Sequence, residues 1–260
     1  MNMTSRGPAM TTRTERLRGP NGNLNILIAE AKAPVAGTLV CLHGGPGGDY
    51  RGNDGIFDDL RSYCTNFGYN IVQFDMFGAG ASDGHPEDIT LRSQVGDYES
   101  VLAYAQVAFP GDLHIVGESM GATIAALTWK ENVTSYLLLW PAFDLRDTDL
   151  RPYLSEPWTS RIAEQGYVDD NGSIVGREFL KEIAHHDFTP CFALPQTPCL
   201  IVHGKRDSAV PFQQSLDAVR AAAGECVLFA HPGGDHGLQR PEERDFTRKA
   251  IQWWLSRWSK

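Results

Sequence analysis

A pentapeptide in the middle of the chain carries the residue types of an activated nucleophile. It reads Gly117-Glu118-Ser119-Met120-Gly121, matches G-x-S-x-G, and lies between the strand-like run LHIV and the helix-like run ATIAALTW. A serine at such a strand-to-helix turn projects its hydroxyl clear of the sheet, and flanking glycines avoid clashes with neighbouring backbone. The helix start also offers unpaired N–H groups to a developing negative charge. The pattern therefore predicts nucleophilic catalysis by Ser119.

A serine hydroxyl needs a base to accept its proton, and the base needs a carboxylate to orient it. In an open α/β sheet these partners come from the carboxyl ends of later strands. His236 follows the strand-like run CVLFA in a glycine-rich loop, and Asp207 follows the run CLIVHG. Asp235, the neighbour of His236, is a second candidate for the carboxylate. The residues thus indicate a catalytic set in the chain order Ser, Asp, His.

Through these motifs, and from about Thr38 to the C-terminus, the sequence resembles the α/β-hydrolase family. The resemblance implies that Ser119 is the nucleophile, His236 the base and Asp207 the acid. It also implies an α/β fold, with a mostly parallel eight-stranded sheet flanked by helices and a small helical cap insertion. No metal and no organic cofactor is expected for this chemistry.

A second glycine-rich segment, His43-Gly44-Gly45-Pro46-Gly47-Gly48, ends the first long apolar strand. Such a run lets backbone N–H groups turn toward a bound oxyanion, although it could also be only a tight turn. In the family, this loop supplies one oxyanion donor and the residue after the nucleophile supplies the other. The resemblance therefore implies the amides of Gly45 and Met120, with Gly44 as a substitute for Gly45. His43 is expected to be a structural residue of the loop.

Strand-like and helix-like segments alternate along most of the chain. Thr38–Leu42 is a continuous apolar run, as expected for a strand covered on both faces, and Thr90–Phe109 has the period of an amphipathic helix. This alternation predicts an α/β protein. We expect residues 1–14 to be a disordered leader, residues 15–142 and 199–260 to be the core, and residues 143–198 to be an inserted cap of short helices without strands.

Composition excludes several classes of protein. The 260 residues carry a formal charge of −9, and this acidic balance argues against binding to nucleic acid or to an anionic membrane. The five cysteines form no C-x-x-C pair and three lie in apolar runs, which favours reduced, buried thiols. Because the first 20 residues are polar and lack the apolar core of a signal peptide, we expect a soluble, cytoplasmic protein.

Two other features bear on the substrate, and a third bears on metal binding. Trp140, Phe143 and Trp158 are the candidates for the substrate pocket, because a cap must line a pocket somewhere. The turn Asp75–Ser82 resembles the D-x-x-G-x-G-x-S turn of the same family, which shapes the pocket floor. The cluster His185-His186-Asp187 is predicted to be solvated rather than metal-binding, because adjacent helical side chains cannot converge on one ion.

The sequence accordingly predicts a serine hydrolase with a small-molecule acyl substrate. A carboxylic ester is the first expectation, because the short cap resembles that of feruloyl-type esterases. An acyl thioester, cleaved or transferred, is an alternative that uses the same residues. The His-Gly-Gly-Pro-Gly-Gly loop resembles that of proline iminopeptidases, which makes amide hydrolysis a further alternative. A homologue that only binds its ligand is the remaining one.

Overall fold

The computed structural model describes residues 11–31, 34–170 and 172–258. Within them the strands are β1 (Thr11–Arg18), β2 (Asn23–Glu30), β3 (Gly37–Leu42), β4 (Tyr69–Phe74), β5 (Leu113–Glu118), β6 (Ser135–Leu139), β7 (Tyr167–Asp170), β8 (Ser173–Gly176), β9 (Cys199–Gly204) and β10 (Cys226–His231). The α-helices are α1 (Ile56–Cys64), α2 (Leu91–Ala108), α3 (Met120–Ala126), α4 (Trp158–Gln165), α5 (Arg177–His185), α6 (Gln213–Ala221) and α7 (Pro241–Leu255). Short 3₁₀ turns lie at Asn53–Gly55, Thr65–Phe67, Pro86–Asp88, Leu145–Asp147, Arg151–Leu154 and Thr189–Phe192.

Eight of these strands form one mixed sheet in the order β1-β2-β4-β3-β5-β6-β9-β10. The pairs β1–β2 and β2–β4 are antiparallel, and every other neighbouring pair is parallel. The mostly parallel eight-stranded sheet expected from the sequence is confirmed. Because β5, β9 and β10 run in the same direction, the loops that follow them meet at one edge of the sheet.

Apolar side chains cover both faces of the sheet. In β3, Val40 and Leu42 face a cluster that includes α2 and α3, whereas Leu39 and Cys41 face a cluster that includes α1 and α7. A strand that is apolar at every position can satisfy both layers, since successive side chains point to opposite faces. No helix in the described part of the chain is long and apolar enough to span a bilayer.

The boundary expected for the leader is wrong. Residues 11–14 belong to β1, which is paired with β2 from Thr11 opposite Glu30 to Arg18 opposite Asn23. Backbone pairing and the ion pairs of Arg13 with Glu30 and Arg16 with Asp83 stabilise this edge strand. Because its side chains are mostly polar and exposed, its composition resembles that of a disordered segment. Residues 1–10 lie outside the described residues.

The expectation that the insertion has no strands is also wrong. β7 and β8 form an antiparallel hairpin between α4 and α5, in which Val168 and Val175 pair and point into the core. Gly172 adopts a φ of +92°, and its amide donates to the Asp169 carboxylate at 2.8 Å. The Asn-Gly pair at positions 171 and 172 was the hairpin signal. Strands of four residues with one inward side chain each have too little alternation to be recognised.

Asp97, on α2, is a buried carboxylate remote in sequence from the serine motif. Its Oδ2 accepts the amide N–H of Phe77 at 2.7 Å, and its Oδ1 has no hydrogen-bond donor among the described residues. Burial raises the pKa of Asp97 to about 7. The folded protein therefore holds this proton more tightly than the unfolded chain does.

Replacing Asp97 with asparagine is expected to stabilise the fold at alkaline pH. With its pKa raised above the ordinary 3.8, the carboxyl group costs stability as the pH rises toward 7, and the cost persists above that value. Asp97→Asn keeps an acceptor for Phe77 without a charge, so we expect the gain in the free energy of unfolding to be about 2 kcal/mol larger near pH 8 than near pH 5. Urea denaturation at both pH values measures this, and an equal gain at both would contradict it.

Candidate active site

Ser119 occupies a sharp turn between β5 and α3. Its backbone adopts φ +52° and ψ −118°, a conformation that L-residues rarely adopt. A Cβ atom on Gly121 would lie 2.2 Å from the carbonyl oxygen of Leu42, and one on Gly117 would lie 2.8 Å from the Cα of Ala122. Only glycine fits at either position, which explains why the G-x-S-x-G spacing is required here.

The three residues predicted from the strand ends lie in hydrogen-bond contact. Ser119 Oγ is 3.1 Å from Nε2 of His236, and Nδ1 of His236 is 2.8 Å from Oδ2 of Asp207. The side chain of Asp207 is wholly buried, whereas that of His236 is 20% exposed. The arrangement has the geometry of a nucleophile, a base and an orienting carboxylate.

Asp207 is held by more donors than the sequence suggests. Its Oδ2 also accepts from His203 Nε2 at 3.0 Å, and its Oδ1 accepts the amides of Ala209 and Val210 at 2.9 and 2.7 Å. Burial opposes ionisation, but the hydrogen bonds from His203 and His236 outweigh it and hold the pKa of Asp207 well below its ordinary value. Asp207 is therefore a carboxylate at any pH at which the protein would act.

His203 is a residue of the site that the sequence reasoning missed. It lies near the end of β9, is fully buried, and its Nδ1 is 2.7 Å from the hydroxyl of Ser215. With Nδ1 accepting from that hydroxyl, Nε2 carries the proton that it donates to Asp207. The signal was present in the sequence, since His203 ends an apolar strand four residues before the acid.

The rival carboxylate has a different role. Oδ1 of Asp235 accepts the amide and the hydroxyl of Ser208, each at 2.8 Å, and the amide of His236 at 2.8 Å. It therefore bridges the loops after β9 and β10 and makes no hydrogen bond to the imidazole. Of the two alternatives left open by the residues, the geometry favours Asp207.

The surroundings of His236 favour the charged form of its imidazole. Burial would lower its pKa, but the hydrogen bond to Asp207 and the negative charges of Asp207, Glu118 and Asp149 outweigh burial and raise the pKa above the ordinary 6.5. Such a base accepts the proton of a serine more readily than free imidazole does.

The pH dependence of turnover follows from this shift. Because only the neutral imidazole can accept the Ser119 proton, kcat/KM should fall as the pH drops through the pKa of His236. We expect the midpoint of this acid limb to lie above pH 6.5. A pH profile of kcat/KM for a neutral ester measures it. A midpoint below that value would show that the carboxylates around His236 do not act on its pKa.

The glycine-rich loop after β3 lies against the nucleophile. A Cβ atom on Gly44 would be 3.1 Å from the Cβ of Ser119, and one on Gly45 would be 2.6 Å from Cε of Met120. The amide of Gly44 donates to Oε2 of Glu118 at 3.1 Å, so it is not available to a substrate. Met120 is the first residue of α3, and the amide at this position has no partner within the helix. Of the two loop glycines considered, Gly45 is therefore the candidate donor beside Met120.

The neighbouring turn anchors both ends of this loop. His43 Nε2 accepts the amide of Met76 at 3.2 Å, so its Nδ1 donates to the carbonyl of Gly44 at 2.6 Å. The carboxylate of Asp75 accepts the amide of Tyr50 at 2.7 Å. The same carboxylate lies so close to Gly80, at φ +52°, that a Cβ there would be 2.3 Å from it. His43 thus has the bonding of a structural residue, and the Asp75–Ser82 turn supports the glycine-rich loop.

Two of the three aromatic residues predicted for the pocket have no surface open to a ligand, and the third, Trp158, is partly buried. Trp140 and Phe143 have no exposed surface. Trp140 packs edge-on against His236, with ring centroids 6.4 Å apart, and Phe143 packs on Phe192. Trp158 lies at the start of α4, where its ring packs against other residues of the insertion. The prediction was wrong for Trp140 and Phe143, because large aromatic side chains after a buried strand are drawn into the core.

One other feature lies beside the glycine-rich loop, and another lies beside His236. The β7–β8 hairpin approaches the glycine-rich loop, since a Cβ atom on Gly47 would lie 3.5 Å from Oγ of Ser173. A polar cleft of about 710 Å³ opens beside His236 and is lined by Arg206, Ser208, Gly233, Asp235, Gln239, Arg240 and Glu243. Its size is within the range of small-molecule sites.

Metal-binding side chains and thiols were considered as alternative reactive groups among the described residues. Within residues 11–31, 34–170 and 172–258, no group of three or more His, Cys, Asp or Glu side chains is arranged to hold a metal ion. All five cysteines are free, and burial raises the pKa of every thiol, to about 12 at Cys191 and about 11 at Cys226. Ser119 is the nucleophile that this edge of the sheet places in contact with His236.

Fold and site together define an α/β serine hydrolase. A family model described as serine aminopeptidase, S33, matches residues 33–186, which is more than half of the chain. The chain belongs to this family of α/β-hydrolases.

Two curated proteins are similar to this chain at low sequence identity. The chain is 27% identical over 195 residues to mouse palmitoyl-protein thioesterase ABHD10, mitochondrial, a match that covers 69% of this chain and 63% of the relative. It is 23% identical over 203 residues to the Escherichia coli K12 protein YfhR, with 76% of this chain and 62% of the relative covered. The matches thus span about three-fifths of the length of these relatives.

Solved structures are similar over almost the whole chain. A putative hydrolase from Agrobacterium vitis S4 superposes with a TM-score of 0.75 at 26% identity, covering 95% of this chain and 99% of the other. Est1E from Butyrivibrio proteoclasticus, solved with ferulic acid, gives a TM-score of 0.79 at 21% identity, with 95% and 100% covered. Mouse ABHD10 gives 0.70 at 20% identity, with 94% and 99% covered. These likenesses confirm the α/β-hydrolase fold.

Proposed function

We propose that this protein is a serine hydrolase that cleaves a small-molecule carboxylic ester through an acyl-enzyme on Ser119. One observation carries the proposal: Ser119 Oγ lies 3.1 Å from His236 Nε2, and His236 Nδ1 lies 2.8 Å from Asp207. The chain places this contact at a strained turn directly before the first turn of a helix. A structural serine needs neither the strain nor the paired base.

Acylation begins at the ester carbonyl. Ser119 Oγ attacks the carbonyl carbon while His236 Nε2 takes its proton, and the carbonyl oxygen becomes an oxyanion. The amides of Gly45 and Met120 donate hydrogen bonds to that oxyanion. His236 then gives its proton to the leaving alcohol, and the acyl group remains bonded to Ser119. Asp207 keeps the imidazole oriented and stabilises its charged form throughout.

Deacylation repeats the sequence with water. His236 takes a proton from water, the resulting hydroxide attacks the acyl carbon, and the second tetrahedral intermediate is stabilised by the same two amides. His236 returns the proton to Ser119 Oγ, and the carboxylic acid leaves. Every proton transfer uses a side chain of this chain, so the mechanism requires no cofactor.

The surroundings of the triad support a small substrate. The polar cleft of about 710 Å³ is lined in part by His236, the residue that would protonate the leaving group, and this volume suits a small alcohol. Residues 143–198 would act as the cap, and the β7–β8 hairpin lies next to the glycine-rich loop, since a Cβ atom on Gly47 would be 3.5 Å from Oγ of Ser173. The hairpin, rather than Trp140 or Phe143, is then the nearer candidate for a substrate contact.

An acyl thioester is the second candidate, because the sequence is similar to palmitoyl-protein thioesterase ABHD10 over 69% of this chain. A thiolate is a better leaving group than an alkoxide, so the same residues would suffice for a thioester. A proline amide is the third candidate, favoured by the His43–Gly48 loop and by the description of the matching family.

A substrate panel distinguishes these reactions. Purified protein should hydrolyse p-nitrophenyl esters of short acids with a kcat/KM above those for acyl thioesters and proline anilides. Dominant thioester turnover would move the proposal to the second candidate, and anilide turnover with inert esters would move it to the third. A fluorophosphonate probe should label the protein only when Ser119 is present. An intact protein that the probe does not label would be a ligand-binding homologue.

We also propose a reducing compartment, the cytoplasm, for this protein. The five free thiols, of which four are buried and that of Cys226 is partly buried, favour such a compartment. A tagged protein imaged in its own cells tests the location, and a mitochondrial signal would match the location in the ABHD10 name.

A further inference from the structure

Glu118, the residue between glycine and serine in the motif, is a carboxylate without solvent contact. Its Oε2 accepts the amide of Gly44 and its Oε1 accepts the indole N–H of Trp140, each at 3.1 Å. A buried carboxylate is costly unless donors surround it. The chain nevertheless places one directly beside the nucleophile, so its contacts point to a role in the site.

The first contact ties Glu118 to the candidate oxyanion loop. Gly44 precedes Gly45 directly, so the orientation of the Gly44 peptide limits that of the Gly45 amide. The glycines leave this loop little stiffness of its own. The Glu118 carboxylate extends from the strand that carries Ser119, and it therefore fixes the loop in the same frame as the nucleophile.

The second contact reaches the candidate base. Trp140 follows β6 with a φ of +37°, a strained conformation for a tryptophan, and its amide donates to the carbonyl of Val202. Its ring packs edge-on against His236. The indole N–H of the same ring donates to Glu118. One carboxylate thus connects the loop, the nucleophile strand and the ring that borders His236.

We propose that Glu118 is a positioning residue of the oxyanion hole, which holds the Gly44 peptide so that the Gly45 amide stays directed at the oxyanion. The inference rests on the proposed function of Ser119. Glu118 touches no reacting atom. Its effect is exerted in the transition state, where the oxyanion exists, and hardly at all in substrate binding.

Glu118→Gln tests the inference with almost no change in volume. An amide offers one oxygen for two N–H donors, so either Gly44 or Trp140 must face an NH₂ group. We expect kcat for p-nitrophenyl acetate to fall about 10- to 100-fold with KM within about threefold, because a misaligned donor costs less than the loss of a whole donor. A purely structural role would lower the melting temperature without this division between kcat and KM.

An inhibitor that forms the oxyanion gives a second readout. Ser119 Oγ adds to the carbonyl carbon of a trifluoromethyl ketone, the serine proton moves to His236, and the ketone oxygen becomes an oxyanion. Its affinity should fall with Glu118→Gln by about the same factor as kcat/KM. Unchanged inhibitor affinity would overturn the proposal.

A double variant supplies the sharpest comparison. Trp140→Phe removes the competing donor, so in Glu118→Gln/Trp140→Phe the glutamine oxygen is free to accept from Gly44. The double variant should recover at least threefold in kcat over Glu118→Gln alone, and simple additivity of the two losses would overturn the proposal. Glu182→Gln is the matched control. Its carboxylate also accepts a backbone amide, that of Leu91, and kcat should stay within about twofold of wild type.

The outcome separates this inference from the proposed function. If the wild-type protein turns over none of the acyl substrates, the proposed function fails and the role of Glu118 fails with it. If the wild-type protein is active and Glu118→Gln matches it in kcat and inhibitor affinity, only the role of Glu118 is overturned.

Discussion

Ser119→Ala is expected to abolish ester hydrolysis, with a loss of about five to six orders of magnitude in kcat, while the fold is retained. Without the hydroxyl no acyl-enzyme forms, and His236 has no proton to accept. Losses of this size follow removal of the nucleophile from a serine hydrolase. The backbone strain at φ +52° is the same for alanine as for serine, so stability should change by no more than about 1 kcal/mol.

Two measurements check this prediction. Initial rates with p-nitrophenyl acetate give the loss in kcat, and thermal unfolding shows that the variant is folded. Ser100→Ala is the matched control, because the Ser100 hydroxyl donates to the carbonyl of Gly96 within α2 and should not affect turnover. If Ser119→Ala kept even a tenth of the wild-type rate, the acyl-enzyme mechanism at Ser119 would be wrong.

Asp207→Asn is expected to lower kcat by about three to four orders of magnitude. An asparagine NH₂ at the position of Oδ2 would face two N–H donors, His236 Nδ1 and His203 Nε2, because both point at that oxygen of Asp207. The imidazole of His236 would then adopt the tautomer with its proton on Nε2, where it cannot accept from Ser119. Loss of the carboxylate also removes the charge that stabilises the imidazolium.

Asp235→Asn is the control for this prediction, because both residues are aspartates beside His236. Asp235 accepts from Ser208 and from the His236 amide, so its loss should loosen the loop and lower kcat about tenfold or less. Circular dichroism and thermal unfolding of both variants distinguish lost chemistry from lost structure. A larger loss for Asp235→Asn than for Asp207→Asn would reverse the assignment of the acid.

The candidate nucleophile, base and acid could be predicted from the sequence because each follows an apolar strand. The fold class came from the alternation of strands and helices, and parallel strands end at one edge of a sheet. Residues as far apart in sequence as Ser119 and His236 could therefore be predicted to lie close together in the fold. The glycines of the pentapeptide also indicated that α3 packs closely against the sheet. Gly121 is required because α3 lies so close to β3 that a Cβ atom would not fit.

What could not be predicted depends on contacts that no local pattern encodes. Glu118 contacts Gly44 across 74 residues of chain, and no spacing rule links them. The indole of Trp140 is fully buried beside His236, whereas residue type alone favoured a pocket wall. β1 is held by pairing with β2 and not by its own apolar residues, so its start was placed too late. Such features depend on tertiary structure rather than on sequence periodicity.

Because the five cysteines are buried or, at Cys226, partly buried, active sites could be counted with a reagent that reacts with serine. With every thiol pKa raised by burial, the cysteines are protonated at neutral pH and react slowly with electrophiles. A phosphonylating reagent should therefore add once per chain, at Ser119, and intact-mass spectrometry should resolve modified from unmodified chains. Titration with such a reagent would give the molar concentration of competent enzyme, so measured rates could be expressed per functional site.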